Sequence, residues 1–303
     1  MTMYDLIILG GGPAGLTATV YALRKRLNVL LITRDLGGKT NYRLQLPFVE
    51  KHLVITGEEV VSRFANEVEY LEFSRVFDKA EKVKKIKDGF EINTREGKTY
   101  QAKCLIVATG ALGRLLDVPG EKEFMNRGLC YSAISYAPLF IERKVVIIGD
   151  TALALRATAE LSRIATNVTL VAPSHGELDS AMGKKVLSAD NVSVLENYRV
   201  ESVLGDEYAR RMVVKSDGDE KEIEADAFFV ELNLVPQTTL VKDLVELDER
   251  GRIKVDARNR TSTEGIFAAG DVTNIIAEQV LISVGEGAKA ALAAYEYLLQ
   301  LPG

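Results

Sequence analysis

Near the start of the chain, "GGGPAG" places Gly10, Gly12 and Gly15 at GxGxxG spacing. These residue types at this spacing suit the cradling of a pyrophosphate. The first glycine permits a tight turn, the second lets backbone approach the phosphates, and the third lets a helix pack closely on a strand. A second loop, "GDTALA" at 149–154, is an altered version of the same device. Gly149 and Ala154 fit GxGxxA, but Thr151 stands at the middle glycine, where a β-branched side chain is expected to crowd a pyrophosphate. Before it lies "GLCYSAISYAPLF" at 128–140, in which Ser132 and Ser135 are separated by two residues. A pair of cysteines at that spacing could cycle between dithiol and disulfide; two hydroxyls cannot.

The surrounding elements are those that would position such loops. "YDLIIL" at 4–9 reads as a strand, "LTATVYALRK" as a helix, and "VLLIT" at 29–33 as a second buried strand. Strand, glycine loop, helix and strand make a βαβ unit, with the helix N-terminus facing the phosphates. Asp35, twenty residues past Gly15, suits a ribose hydroxyl, although it lies past the strand end, where Thr33 and Arg34 compete for the role. "CLIVATGA" at 104–111 is a buried strand ending in Thr109 and Gly110, and "TSTEGIFAAGDVT" at 261–273 is another, ending in Gly270 and Asp271. "EQVLISVGEGAKAALAAYEYLL" reads as one long helix, in which Gly285 and Gly287 suggest close approach of a ligand or another backbone. A second βαβ start follows from "KVVIIGD" at 144–150, "ALALRATAELSRIA" and "NVTLVA" at 167–172.

The chain has 303 residues, room for two domains of about 150 residues each. It is 47% hydrophobic and 27% charged, an ordinary globular balance. Net charge is −5 and no long basic run occurs, which argues against a nucleic-acid partner; "RKR" at 24–26 reads as the solvated end of a helix. No basic n-region precedes the first apolar run, and no stretch approaches the length of a membrane span. Cys104 and Cys130 form neither a CxxC nor a bridge framework, which fits a reducing cytosol. His52 and His175 are isolated in the sequence, so no metal site is expected.

"GGGPAG", "ATG" at 108–110 and "GIFAAGDV" at 265–272 together resemble the flavin-dependent pyridine-nucleotide disulfide oxidoreductases, and most of all the low-molecular-weight thioredoxin reductases, over essentially the whole chain. "LGGKT" at 36–40 resembles the family's GGQ-type FAD loop. "FFVELNLVPQTTL" at 228–240 resembles the segment returning from the second domain. "AEQVLISVGEGA" resembles the segment beside the isoalloxazine, with Gln279 matching and Glu278 replacing an arginine. The resemblance implies an α/β fold of two Rossmann-like domains: an FAD domain from 1–112 plus 243–303, and a smaller nucleotide-binding-like domain, 113–242, inserted in it. It implies FAD as cofactor, held by Gly10, Gly12, Pro13, Ala14, Gly15, Asp35, Gly38, Lys39, Thr109, Gly110, Gly270, Asp271, Gln279 and Val280. It also implies a cytoplasmic homodimer.

Two departures bear on function. The family's Cys-x-x-Cys-Asp is matched here by Ser132-Ala133-Ile134-Ser135-Tyr136, with both cysteines and the acid replaced. Cys130, two residues early and without a partner, reads as a small buried apolar residue. NADPH-dependent relatives also carry a basic HRR-like cluster after the next strand, where this chain offers Pro173, Ser174 and His175. The expectation is therefore an FAD oxidoreductase without the dithiol and with a degraded NAD(P)H site, exchanging electrons with a protein carrier such as ferredoxin. The alternatives are a small-molecule flavin oxidase or reductase, and a regulatory flavoprotein without turnover. Tyr131 and Tyr136 are read as ordinary packing residues, and no catalytic residue is assigned.

Overall fold

The computed structural model describes residues 3–41, 44–48 and 56–302; Met1, Thr2 and His52 lie outside the described residues. The chain begins with β1 (Met3–Leu9), α1 (Pro13–Arg24) and β2 (Val29–Thr33). The two strands run parallel, with Leu6 opposite Val29 and Leu9 opposite Ile32. All five residues of β2 are buried, as in a parallel strand covered on both faces. Pro13 opens α1, where its missing N–H costs nothing. The helix ends at exposed Arg24, and Arg26 turns the chain with φ at 62°.

After α2 (Thr56–Tyr70) come β3 (Arg75–Phe77), β4 (Ala80–Ile86), β5 (Gly89–Thr94) and β6 (Thr99–Val107). The chain then passes through β7 (Ala111–Gly113) to α3 (Glu121–Phe124), β8 (Leu129–Cys130), α4 (Ala133–Tyr136), β9 (Lys144–Ile148), α5 (Ala152–Leu161), β10 (Asn167–Ala172), α6 (Ala181–Leu187) and β11 (Val192–Glu196). An antiparallel meander, β12 (Arg199–Gly205), β13 (Ala209–Ser216) and β14 (Asp219–Glu224), leads to β15 (Ala227–Val230). β16 (Leu234–Pro236), β17 (Ile266–Ala268) and α7 (Val280–Leu298) complete it. Among the described residues no helix is long and apolar enough to cross a membrane.

Two compact units result. The first comprises Met1–Asn41, Val54–Leu112 and Val235–Gly303; the second, Tyr42–Leu53 and Gly113–Leu234. The first unit's sheet runs β3-β2-β1-β6-β5-β4, with β17 pairing the second half of β6. The second unit's parallel sheet runs β11-β10-β9-β15-β8. The return to the first unit comes at 234/235 rather than at 242/243. The intervening segment is held there by the Gln237 N–H on the Gly110 carbonyl (2.9 Å) and by Val241, buried with Leu105, Val107 and Ile253. The segment around residue 44 joins the second unit because Leu44 and Leu46 enter its core beside Phe140. Phe48 meets Phe140 edge-on at 6.1 Å, and the Arg143 guanidinium lies 4.0 Å from the Phe48 ring.

In the first unit α7 packs on α1, and Gly287 is where the two backbones meet. A Cβ placed on Gly287 would lie 2.1 Å from the Ala14 carbonyl oxygen, whereas one on Gly285 meets nothing within 4 Å. Gly287→Ala should therefore destabilise the protein by about 1–3 kcal/mol, as overpacking does. Gly285→Ala should be neutral or stabilising by up to about 1 kcal/mol through helix propensity. Urea unfolding of the two variants checks the contrast.

Candidate dinucleotide site

The first glycine loop is shaped by contacts that exclude side chains. Gly10 has φ at 106°, and a Cβ there would lie 2.4 Å from the Ala108 carbonyl oxygen. A Cβ on Gly15 would lie 1.8 Å from the Gly10 oxygen. Gly12 differs: it caps α1 without a side chain, at φ −72°, and a Cβ there meets nothing within 4 Å. The helix therefore presents its first-turn N–H groups and the positive end of its dipole to open space, the arrangement that receives phosphate.

The other expected residues gather in the same unit. Asp35 shapes the turn over 36–41: its Oδ1 accepts the Gly38 N–H at 2.9 Å and the Asn41 amide at 3.3 Å. The Gly37 N–H reaches the Gly11 carbonyl at 2.8 Å. Gly38 rests on the loop, so that a Cβ on it would lie 3.0 Å from the Gly12 Cα. Lys39 follows and pairs with Asp271, whose Oδ1 accepts from the Ser283 hydroxyl at 3.2 Å. Gly270, with φ at 78°, makes the turn that sets Asp271. Thr109 donates to the Gln237 carbonyl at 2.7 Å, fixing the end of β6 beside Gly110. Gln279 caps α7 and Val280 begins it. Each of these contacts lies within the first unit.

The second unit repeats this backbone. Gly10 N–H bonds Ile32 O at 2.9 Å, and Gly149 N–H bonds Val171 O at 2.9 Å. Gly37 N–H to Gly11 O at 2.8 Å is matched by Glu177 N–H to Asp150 O at 2.8 Å. Ala108 N–H to Leu9 O at 2.8 Å is matched by Glu231 N–H to Ile148 O at 2.8 Å. The side chains differ. Thr151 stands where Gly12 does, and its hydroxyl donates to the Leu232 carbonyl at 3.3 Å. Asp150 stands where Gly11 does and accepts the Ser174 hydroxyl at 2.6 Å. His175, isolated in the sequence, lies 2.8 Å from Glu196 and 2.9 Å from Asp179.

Ser132 and Ser135 are half-buried, and their hydroxyls bond each other at 2.7 Å. The turn that carries them is held from below by Glu231, whose Oε1 accepts the Ala133 N–H at 2.5 Å. Both tyrosines of this segment are engaged within the second unit. The Tyr136 hydroxyl accepts the Leu44 N–H at 3.2 Å, and the Tyr131 hydroxyl donates to Glu121. Burial, with that carboxylate, pushes the Tyr131 phenol up. Burial pushes the Cys130 thiol up to about 12, which leaves it an inert packing residue.

Two buried carboxylates of the second unit carry little signal in the sequence. Glu231 is 3% exposed and occupies the place of Ala108 in the repeat; an acid inside "FFVEL" was its one signal. Glu121, 1% exposed, accepts the Leu116 and Asp117 N–H groups at 2.6 and 2.8 Å, and nothing in "GEKEF" marks it as buried.

Hydrogen bonds to Glu196 and then to Asp179 raise the His175 pKa above its ordinary value. The associated stabilisation is fully present below the unfolded-state value of about 6.5 and is lost as pH rises through the folded-state value. In a His52→Gln background, the imidazole proton resonances of His175 should titrate above about 6.5. Glu196→Gln should move that midpoint down; an unmoved midpoint would contradict the pairing.

The pyridine nucleotide-disulphide oxidoreductase family model matches residues 4–293. An alkyl hydroperoxide reductase component from Staphylococcus aureus is 33% identical over 304 residues, covering 98% of this chain and 59% of that protein. A Bacillus subtilis NADH dehydrogenase is 33% identical over 305 residues, with the same 98% and 59% coverage. The chain thus spans about three fifths of the length of these two relatives. The crystal structure of thioredoxin reductase from Streptococcus pyogenes superposes with a TM-score of 0.86 at 29% identity, covering 99% of each chain. The chain belongs to the pyridine nucleotide-disulphide oxidoreductase family, whose cofactor is FAD, and its fold is thioredoxin reductase-like.

Proposed function

We propose that this chain is an FAD-dependent oxidoreductase that works without an internal dithiol and exchanges electrons with a protein carrier such as ferredoxin. The observation that carries the reading is the Ser132–Ser135 hydroxyl pair, 2.7 Å apart, at the positions that match the family's two cysteines. A relay through that segment needs sulfur at both positions. With hydroxyls there, electrons must leave for the acceptor by another route.

The cofactor's cradle is supported by open space at Gly12 beside an uncapped helix N-terminus. In this reading Gly10, Gly12, Pro13, Ala14 and Gly15 hold the pyrophosphate. Asp35 offers its second oxygen to the adenosine ribose, since its described hydrogen bonds use Oδ1. Thr109, Gly110, Gly270, Asp271, Gln279 and Val280 serve the flavin half. FAD, when bound, supplies the electron-transfer chemistry. The chain's residues bind it, orient it and place α7's positive end beside it.

The residues around the second loop argue against NADPH as the usual donor. Asp150, Asp179 and Glu196 surround Ser174 and His175, where a 2′-phosphate needs cations. The homodimer belongs to the same proposal, and light scattering over a broad concentration range tests it.

Three outcomes are expected. Wild-type protein purifies with FAD, whereas Gly12→Val folds normally and purifies without it; absorbance near 450 nm and circular dichroism read both. In anaerobic titrations reduced ferredoxin reduces the bound flavin faster than NADH or NADPH does, the missing charge-assisted phosphate contact alone weakening NADPH affinity about tenfold. Thioredoxin is not reduced. Rapid reduction by NADPH, or turnover of thioredoxin, would overturn the reading.

A further inference from the structure

We infer that Lys39 is a cofactor-recognition cation that exchanges its partner when the dinucleotide binds, leaving Asp271 for a phosphate oxygen. This rests on FAD binding as proposed above. The position is a departure in this chain, because the loop it belongs to resembles one that carries glutamine there.

Three observations place it. Lys39 directly follows Gly38, which lies against Gly12: a Cβ on Gly38 would come within 3.0 Å of the Gly12 Cα. The lysine therefore starts beside the N-terminus of α1, where the pyrophosphate cradle is. Its ammonium reaches Asp271, in the turn that follows β17. Asp271 is in turn tied to α7 through the Ser283 hydroxyl at 3.2 Å. The pair thus links the glycine loop, the β17 strand end and α7.

Charge decides what this link is for. Of the residues expected to hold the cofactor, Asp35 and Asp271 are anionic and Lys39 is the one cation. A dinucleotide brings two further negative phosphates. The α1 dipole offsets part of that charge, equivalent to about half a unit at the helix end. Without Lys39, no cationic side chain among these residues would offset the two carboxylates and the phosphates, and the helix N-termini would be left to compensate. The lysine side chain is 43% exposed, so it can swing without unpacking the core. Moving to phosphate exchanges one charge-assisted contact for another and frees the Asp271 carboxylate to accept hydroxyl groups of the cofactor.

The test uses full-length protein stripped of flavin, titrated with FAD and separately with riboflavin, which lacks phosphate, and followed by quenching of flavin fluorescence. Lys39→Gln should weaken FAD binding about tenfold at about 0.05 M salt. The gap should narrow at about 0.5 M salt, as screening shortens the reach of the charge. Riboflavin affinity should be unchanged, and Lys39→Arg should retain most of the FAD affinity. Thermal melting of the flavin-free variants controls for folding. Equal losses for FAD and riboflavin would overturn the inference, because Lys39 would then act only by holding the loop. So would unchanged or tighter FAD binding in Lys39→Gln, which would make the ion pair a structural tie between the two loops. Wild-type protein that takes up neither flavin would overturn the FAD reading itself, and this inference with it.

Discussion

On its inner side the N-terminus of α1 is packed backbone against backbone. The Gly10 carbonyl lies where a side chain on Gly15 would be, the Ala108 carbonyl where one on Gly10 would be, and the Ala14 carbonyl where one on Gly287 would be. Strands β1 and β6 and helix α7 all depend on this crowding for their placement around α1. Close packing on the inner side is matched by openness on the outer side, at Gly12. A helix end held so tightly can offer its N–H groups to a phosphate without reorganising, which is what makes it a binding site as well as a packing joint.

The second unit shows the same backbone device serving a different set of side chains. Three hydrogen bonds around its loop match three of the first unit, yet Asp150, Thr151 and Glu231 replace Gly11, Gly12 and Ala108. Backbone geometry is thus retained while the chemistry of the crevice has turned acidic. Glu231 supports the Ser132–Ser135 turn from beneath through the Ala133 N–H. The Tyr136 hydroxyl holds the Leu44 N–H. The segment has become a packed structural element of its own unit.

Much of the fold was legible because glycines and apolar runs carry local information. Both βαβ starts, the solvated end of α1 and the close approach at Gly287 follow from spacing and burial in a single stretch of chain. What was hidden depended on distant partners. Residues 235–242 go with the first unit because Gln237 meets Gly110 and Val241 enters its core. Leu44 and Leu46 go with the second because Phe140 and its neighbours receive them. Glu121 and Glu231 are acids whose burial depends on donors supplied by residues elsewhere in the fold. His175 was isolated only in the sequence; Asp179 and Glu196 converge on it from the turn that follows it and from the end of β11.

Electron flow that avoids the serine segment is the central claim about function, and removing the two hydroxyls tests it most directly. The measurement is the rate at which anaerobically reduced enzyme passes electrons to oxidised ferredoxin, in wild type and in the Ser132→Ala/Ser135→Ala variant. Bypass of that segment predicts equal rates. A loss of about tenfold or more, equivalent to about 1.4 kcal/mol in the barrier, with FAD still bound and the fold intact, would contradict it.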